Sequence, residues 1–270
     1  MHRVTLVVCW ISTTRASTPE GWIAMAKKFG SGRCAHCLRH FDLLTSDHVF
    51  PLSWYPETTP NDLERWQMPS CDECNQKYGR IENDLLRRFG LCLDRSQEGA
   101  KGIPQKAVRA ISPRAGRNPK DRHCRQQLLQ KTLSEALKGN DVPMSAVLPG
   151  FGQSPAQSTT DAIGILGGVT ELEALAEKLA RGVTYVSAER YIEKDHEIET
   201  YFDVNQGAVF AETANKIGTK RHCGPGIVVL HAAAPDDPIS GIFDFTLWGT
   251  LRFWVVVSPR SGEGRPQSHL

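Results

Sequence analysis

Four of the eight cysteines lie in two C-x-x-C pairs, a spacing at which thiolates can bind a metal ion. The pairs are Cys34 with Cys37 and Cys71 with Cys74, and 33 residues lie between them. Together they can supply four thiolates to a tetrahedral zinc ion, a closed site that contributes folding energy to a segment with little core of its own. The sequence therefore predicts a structural Zn²⁺. The alternative, four reduced structural thiols, requires both pairs to be coincidental.

An Asp-His dipeptide lies between the two cysteine pairs, within the stretch "LTSDHVFPLSWYP". A structural zinc site does not need such a dipeptide in the middle of its loop. Asp47 and His48 are compatible with a charged pair on a surface turn and also with half of an active site. The two residues alone do not distinguish these interpretations. The neighbouring motifs have to distinguish them.

The motifs around this dipeptide resemble those of the HNH (ββα-metal) nuclease family in its zinc-stapled form. They are "CAHC", "SDHVFP", "PNDLERW" and "CDECNQKYGRIENDLL", in that order along the chain. Each motif is weak by itself, but their order and workable spacings are specific. The resemblance covers roughly residues 33–90, about a fifth of the chain.

The resemblance implies roles for four residues in phosphodiester hydrolysis. Asp47 and Asn75 would bind a catalytic Mg²⁺ or Mn²⁺ ion, because hard cations take oxygen ligands. His48 would be the general base, since a neutral imidazole can take a proton from water near pH 7. Asn61, in the loop between the motifs, would orient the backbone or the ring of His48.

Each of these residues also has a simpler reading that the sequence leaves open. Asp47 could accept a hydrogen bond in a turn, and His48 could be a buried structural histidine. Asn75 also stands where a helix N-cap belongs, and Asn is a favoured cap. Asn61 lies in a good turn sequence, where the neighbouring Asp62 could be the relevant residue.

Two positions depart from the family pattern. The family often has His where this chain has Asn75, and an amide oxygen favours Mg²⁺ or Mn²⁺ over a transition metal. The family often has Lys where this chain has Tyr78, so phosphate anchoring passes to Lys77, to Arg80 or to residues downstream. The remaining prominent side chains of the module are expected to be structural: His36 and His40 at the surface, and Trp54, Tyr55 and Trp66 as buttresses of the zinc module.

A basic stretch follows the cysteine-rich segment. Residues 96–140 carry ten Lys and Arg against three Asp and Glu, whereas residues 141–270 carry ten against sixteen. Clustered cations supply sequence-independent attraction to nucleic acid, although a solvated linker or helix face has the same composition. With Lys77 and Arg80, the predicted nucleic-acid-binding residues are Arg109, Arg114, Arg117, Lys120, Arg122 and Arg125.

The patterns predict an α+β chain made of several parts. These are an arm or over-extended start (1–24), an HNH module with structural zinc (25–95), a basic helical extension (96–147), a linker (148–169), a C-terminal α+β accessory domain with a mostly antiparallel sheet (170–258), and a tail (259–270). Helical periodicity predicts helices at about 75–89 and 121–137, with Gly90 as the C-cap of the first.

In the C-terminal half, Thr170 and Glu173 form a capping box, and Gly182 is expected to close the helix that they begin. Strand patterns follow in "VTYVSA", "ETYFDV", "GIVVLH", "GIFDFTLW" and "LRFWVVVS". The sequence shows no catalytic motif there. The domain could bind a protein partner, mediate homodimerisation, sense a ligand or read a modified base, and the sequence does not choose among these alternatives. Asp195, His196 and Glu197 form an acidic-histidine cluster that is expected at the surface.

The sequence as a whole predicts a metal-dependent HNH endonuclease that acts on DNA, with RNA as the alternative substrate. A non-catalytic zinc-dependent nucleic-acid-binding protein is the rival hypothesis, and a toxin-like effector with an inhibitor-binding C-terminal half is a third. The longest uncharged apolar run, residues 4–11, is far shorter than the ~20 residues that span a bilayer, so no membrane partner is expected. The two cysteine pairs favour a reducing compartment, and we expect a cytoplasmic protein.

Overall fold

The computed structural model describes the backbone of residues 5–9 and, with side chains, residues 29–138, 141, 147–148, 151 and 163–260. These residues form an α+β structure with five α-helices. The helices are α1 (Asp72–Cys92), α2 (Ile103–Ile111), α3 (Pro119–Ser134), α4 (Val169–Ala188) and α5 (Val204–Ile217). The strands are β1 (Thr5–Cys9), β2 (Gly32–Arg33), β3 (His40–Phe41), β4 (Thr45–His48), β5 (Gln67–Ser70), β6 (Ala136–Lys138), β7 (Ile163–Gly167), β8 (His196–Tyr201), β9 (Thr219–Gly224), β10 (Ile227–Ala234), β11 (Asp237–Leu247) and β12 (Leu251–Pro259).

The largest sheet has five strands in the order β8-β12-β11-β10-β9, and every neighbouring pair is antiparallel. The antiparallel sheet predicted for the C-terminal half is therefore confirmed. Its register places Phe245 of β11 opposite Phe253 of β12, and Phe243 opposite Val255. These four side chains are fully buried, because alternate residues of both strands point to the core side of the sheet.

Helix α4 is a central element that packs against α1, β5 and β11. It begins after Gly168, without a side-chain cap, so the predicted capping box of Thr170 and Glu173 is wrong. It also continues past Gly182 through the "VTYVSA" segment that was predicted as a strand. A Cβ atom at Gly182 would lie 2.7 Å from the side chain of Val49, so this glycine permits close packing and does not end the helix.

Helix α1 likewise runs past the glycine that was expected to end it. Gly90 lies inside the helix, and a Cβ atom there would come within 2.8 Å of the Cβ of Ala107 in α2. Both glycines were predicted as caps because Gly favours the left-handed conformation at helix ends. In the fold they serve the second use of glycine, which is the close approach of two elements.

Two segments predicted to lack regular structure contain strands. Within the predicted N-terminal arm, β1 pairs with β7 from Thr5 opposite Gly167 to Cys9 opposite Ile163. Strand β7 itself lies in the predicted linker and also pairs with β6. Residues 5–9 belong to the apolar run noted above, and an antiparallel partner far along the chain lets such a run form a ladder. The rest of the predicted arm and most of the predicted linker and tail lie outside the described residues.

The two halves of the chain share one hydrophobic core. Its buried members include Val49 and Trp54 from the first half and Leu172, Phe243 and Trp248 from the second. Trp54, predicted as a buttress, is buried there, and the indole N–H of Trp248 donates to its carbonyl oxygen over 2.8 Å. The proposed domain boundaries stay predictions, but side chains from either side of them pack together.

Candidate functional site

The two cysteine pairs meet at one point, as their spacing predicts. One sulfur atom from each of Cys34, Cys37, Cys71 and Cys74 lies within 4.8 Å of the others. The first pair lies on the turn between β2 and β3, and the second lies at the N-terminus of α1. The Sγ atoms of Cys37 and Cys71 are 3.9 Å apart, close to the ~3.8 Å between ligands of a tetrahedral site with Zn–S bonds of about 2.3 Å. Four thiol sulfurs at this separation could hold a metal ion such as zinc.

Backbone contacts fix this arrangement. The N–H of Cys71 donates to the sulfur of Cys34 over 3.3 Å, and the N–H of Ala35 donates to the carbonyl of Pro69 over 2.8 Å. Burial raises the pKa of the Cys37 thiol, but hydrogen bonds from Arg39 and from the neighbouring cysteines outweigh it and bring the pKa to about 7. Burial raises the pKa of the Cys71 and Cys74 thiols, so of these three only Cys37 is favoured as the thiolate, the form that binds metal.

The Asp-His dipeptide lies at the end of β4, in a hairpin that precedes α1. Strand β4 pairs with β5, so that Asp47 faces Met68 across the ladder and His48 faces Gln67. Since neighbouring residues of a strand point to opposite faces, the two side chains of the dipeptide enter different surroundings. Asp47 is buried and His48 is half-buried.

The Asp47 carboxylate belongs to a buried charge network. One of its oxygens lies 2.9 Å from Nε2 of His36, and the other accepts from Nζ of Lys178 in α4 over 2.7 Å. The same ammonium donates to Glu82 of α1. The Lys178 side chain is 0% exposed. Because its side chain is buried against Asp47, His36 is not the surface residue that was predicted.

This network carries two carboxylates for one ammonium. Burial raises the pKa of Asp47, but the hydrogen bond from His36 and the charge of Lys178 outweigh it, so that the pKa is lowered overall. Burial raises the pKa of Glu82 to about 7, although Lys178 works in the opposite direction. We infer that Asp47 is the ionised partner of Lys178, and that Glu82 holds a proton for part of the time near neutral pH.

Asn75 ties the start of α1 to the hairpin. Its amide nitrogen donates to Oγ1 of Thr45 over 3.1 Å and to the carbonyl of Ser46 over 3.4 Å. The N-cap of α1 is Cys71, so Asn75 does not fill the capping role that the sequence left open. The structure places Asn75 and Asp47 on neighbouring elements, but it gives no direct contact between them among the described residues.

Tyr78 stands where the resemblance expects a lysine, and it contacts the charge network. Its ring lies 4.3 Å from the imidazole of His36, measured between centroids. Nζ of Lys178 lies 5.8 Å from the centroid of the same ring. A cation is thus supplied beside position 78 by a helix that follows about a hundred residues later in the chain.

His48 faces the other side of the hairpin. Its Nε2 lies 3.0 Å from Nε2 of Gln67, and since an amide NH₂ only donates, the imidazole nitrogen is the acceptor. Burial lowers the pKa of His48, the charges of Lys178 and Arg65 lower it further, and Asp47 opposes them. The ring is therefore neutral at pH 7, with a lone pair on Nε2.

Gln67 is the neighbour of His48 that sequence reasoning missed, and Asn61 is the one it expected. Asn61 lies in an exposed turn, and the structure gives no contact between it and His48 within the described ranges. The cross-strand position of Gln67 could have been found by pairing "TSDH" with "QMPS", because residues opposite each other in a hairpin contact one another.

The predicted nucleic-acid-binding residues are mostly exposed. Helix α3 has only Thr132 among its buried residues, and its N-cap Asn118 accepts from the N–H of Asp121 over 2.8 Å. Seven of the eight cations are exposed: Lys77, Arg80, Arg109, Arg114, Arg117, Lys120 and Arg122. Arg125 is half-buried and pairs with Asp121 over 3.0 Å. Apart from Arg117 and Arg125, which both lie near Asp121, these cations have no ion-pair partner in the described structure.

A cleft of about 510 Å³ opens beside the first cysteine pair, and its charges are largely paired. Arg33 and Glu193 make two contacts of 2.8 Å, and Arg39 reaches Glu73 over 2.7 Å. Lys194 and Asp195 also line the cleft. With the acidic and basic groups already joined, this cleft is a weaker candidate site than the surroundings of His48.

Comparison of the chain with protein-family models, with curated proteins and with solved structures gives no match. Function must therefore be argued from the site itself. Within the described part of the chain, none of the helices is both long and apolar enough to cross a membrane.

Proposed function

We propose that the protein is a metal-dependent endonuclease of the HNH type that hydrolyses phosphodiester bonds in DNA. The observation that carries the proposal is the surroundings of His48, a neutral and half-buried imidazole at the end of β4. The four-cysteine cluster joins the ends of the segment that contains it, and α1 follows directly. The strand pair of β4 and β5, the helix α1 after it and a candidate base at the end of β4 support the ββα-metal architecture that the motifs resemble.

His48 would act as the general base. Its Nε2 lone pair, which accepts from Gln67 at 3.0 Å, would take the proton from the attacking water when substrate displaces the amide. A depressed pKa keeps this nitrogen unprotonated at neutral pH. Gln67 would orient the ring before substrate binds, a role that the resemblance gave to Asn61.

A divalent cation would neutralise the charge that grows on the scissile phosphate. The oxygen atoms of Asp47 and Asn75 are of the type that Mg²⁺ or Mn²⁺ takes as ligands. Both oxygens of Asp47 are engaged, however, by Lys178 and His36. The Lys178 ammonium beside Asp47 would repel a second cation there, so we assign the ion no place in the geometry described above.

DNA would bind along the exposed cations of α1, α2 and α3 and of the segment between α2 and α3. Contacts of this kind position the strand without reading its sequence, and they weaken as salt concentration rises. The acidic composition of the C-terminal half argues against a second large nucleic-acid surface there.

The test is cleavage of supercoiled plasmid in the presence of Mg²⁺ or Mn²⁺. Loss of a general base lowers a rate by about 10²- to 10⁴-fold, so the His48→Ala variant should leave the plasmid supercoiled while the wild type nicks or linearises it. His40→Ala is the matched control, because His40 is an exposed histidine of the same module. Equal cleavage by wild type and His48→Ala would refute the assignment of His48.

A second candidate is a zinc-dependent nucleic-acid-binding protein without catalysis. The observation that favours it is the pairing of Asp47 with Lys178 and His36, which compensates the charge of this carboxylate without a metal ion. Such a protein would bind plasmid in the presence of Mg²⁺ or Mn²⁺. The plasmid would stay supercoiled with the wild type and with His48→Ala.

A further inference from the structure

Arg65 lies in the segment that leads into β5, beside the end of the strand that carries His48. The carbonyl of the next residue, Trp66, accepts from the N–H of Val49 over 2.9 Å. This bond extends the pairing of β4 and β5 by one step beyond His48 and Gln67. The backbone of Arg65 is thereby held next to the candidate base.

The guanidinium of Arg65 lies in the same surroundings as His48. It stacks over the ring of Tyr55, with its central carbon 5.4 Å from the centroid. Burial is the main cause of the lowered pKa of His48 and of Lys106, and the charge of Arg65 contributes to both. Lys106 donates to the carbonyl of Tyr55 over 2.7 Å, so two cations contact Tyr55.

Arg65 has no anionic partner among the described residues. Its Nε is buried and makes no hydrogen bond there. Other buried or half-buried arginines have anionic partners: Arg87 and Arg88 both pair with Asp84, and Arg252 pairs with Asp244. The Nε of Arg87 is also without a hydrogen bond in the described structure, so the distinction of Arg65 is the missing anion.

A buried donor left unpaired destabilises the fold, and more so when it is charged. The retention of such a group calls for an explanation, and an anion that arrives from outside is one. The planar guanidinium matches the geometry of phosphate oxygens. The hydroxyls of Thr58 and Thr59, in the loop between the strands, are also buried without a partner in the described structure.

We propose that Arg65 binds a phosphate of the nucleic-acid strand and holds the scissile phosphodiester beside His48. The proposal deepens the proposed nuclease function and rests on it in one respect, which is that the bound phosphodiester is the one that is cleaved. The ring of Tyr55 and the hairpin backbone hold the guanidinium in place. The Arg65 side chain therefore loses little conformational freedom when the phosphate binds. Neither the motifs nor the basic stretch had singled out Arg65.

The first experiment measures binding of a fluorescein-labelled 20-base-pair DNA duplex by anisotropy, with zinc-loaded protein and no added Mg²⁺ or Mn²⁺. Each phosphate contact contributes about 0.9 to the slope of log K against log salt concentration. Arg65→Gln should reduce that slope by about this amount. The matched control is Arg190→Gln, which removes the same charge from an exposed arginine with no ion-pair partner in the described structure.

The second experiment measures plasmid cleavage by the same variants and by Arg65→Lys. Loss of a donor that faces charge developed in the transition state lowers kcat by about 10²- to 10³-fold. Arg65→Gln should show such a fall with KM changed much less, and Arg65→Lys should retain part of the rate. Zinc content and thermal midpoint report whether each variant is folded.

The outcomes separate this proposal from the nuclease function. A reduced salt slope in Arg65→Gln alone supports a phosphate contact, even if the wild type cuts no plasmid and the nuclease function fails. A slope and a kcat equal to those of Arg190→Gln would overturn the proposal, whether or not His48 proves to be the base. A wild type that does not bind the duplex would overturn it as well.

Discussion

The two faces of the β4–β5 hairpin differ in how far their charges are satisfied. On the face of Asp47, each charged group has a partner: His36 and Lys178 engage Asp47, and Lys178 also engages Glu82. On the side of His48, the imidazole contacts the amide of Gln67, and Arg65 has no anionic partner among the described residues. The two adjacent residues of β4 therefore lie in different electrostatic surroundings. The face of Asp47, called the closed face below, links elements of the fold. The face of His48, called the open face, leaves polar groups free for a ligand.

The largest effect on the stability of the hairpin should come from loss of the zinc ion that the four cysteines are predicted to bind. Apparent binding energies of structural zinc in small modules are about 10–16 kcal/mol, more than the stability of most domains. Cys71→Ser should therefore release zinc and unfold the hairpin and the start of α1, as measured by metal analysis and by hydrogen exchange of residues 33–78. Cys124→Ser, at an exposed cysteine outside the cluster, should change neither. Full exchange protection without bound metal would contradict a structural role for zinc.

Removal of Lys178 should be the next largest change, because it breaks the closed face. Lys178→Met leaves Asp47 buried without its counter-charge, which costs about 3–5 kcal/mol in the free energy of unfolding. Urea denaturation measures the loss. The double variant Asp47→Asn with Lys178→Met removes both charges and should recover part of it. If Lys178→Met alone costs less than about 1 kcal/mol, the pairing does not stabilise the fold.

The closed face should also give the protein a pH dependence. The pKa of Glu82 is raised to about 7 in the fold from its usual value of 4.5, so the folded state binds the proton more tightly than the unfolded state does. The contribution of the protonated form is full below about pH 4.5 and is lost as pH rises to about 7, by an amount on the order of 3 kcal/mol. Glu82→Gln should flatten the curve of unfolding free energy over this window, whereas Glu73→Gln, at an exposed site, should leave it unchanged. A decline of the same size in Glu82→Gln would assign it to another group.

The smallest effect on stability should come from the open face. His48→Gln removes one hydrogen bond to Gln67 at a half-buried site, so the free energy of unfolding should fall by no more than about 1 kcal/mol. Urea denaturation next to the plasmid assay then separates stability from activity. A loss above about 3 kcal/mol would make His48 a structural residue and would erase the difference between the two faces.

Local spacing was enough to predict the four-cysteine cluster and the helix that follows it. The C-x-x-C pairs specify which four sulfurs meet, because each pair is short and rigid. The alternation of apolar residues similarly predicted β10, β11 and β12. These features depend on neighbours in the sequence or on one strongly preferred pairing.

Contacts between distant segments could not be predicted in this way. Lys178 and Asp47 are separated by 131 positions, and nothing in the "ALAEKLARG" pattern distinguishes a buried lysine from a solvated one. Gly90 and Gly182 show the same limit, since packing against Ala107 and Val49 decides their role. Helix α5 was missed although Asp203 caps it, because "ETYFDV" was read as a strand to its last residue.

The meeting of Trp54 and Trp248 has an optical consequence. Their rings lie 4.7 Å apart, tilted by 38°, and one belongs to each half of the chain. Two indoles this close, held at a fixed tilt, couple their electronic transitions and give a paired band in the circular dichroism spectrum. The chain thus contains its own spectroscopic reporter of whether its first and second halves are joined, and it needs no added label.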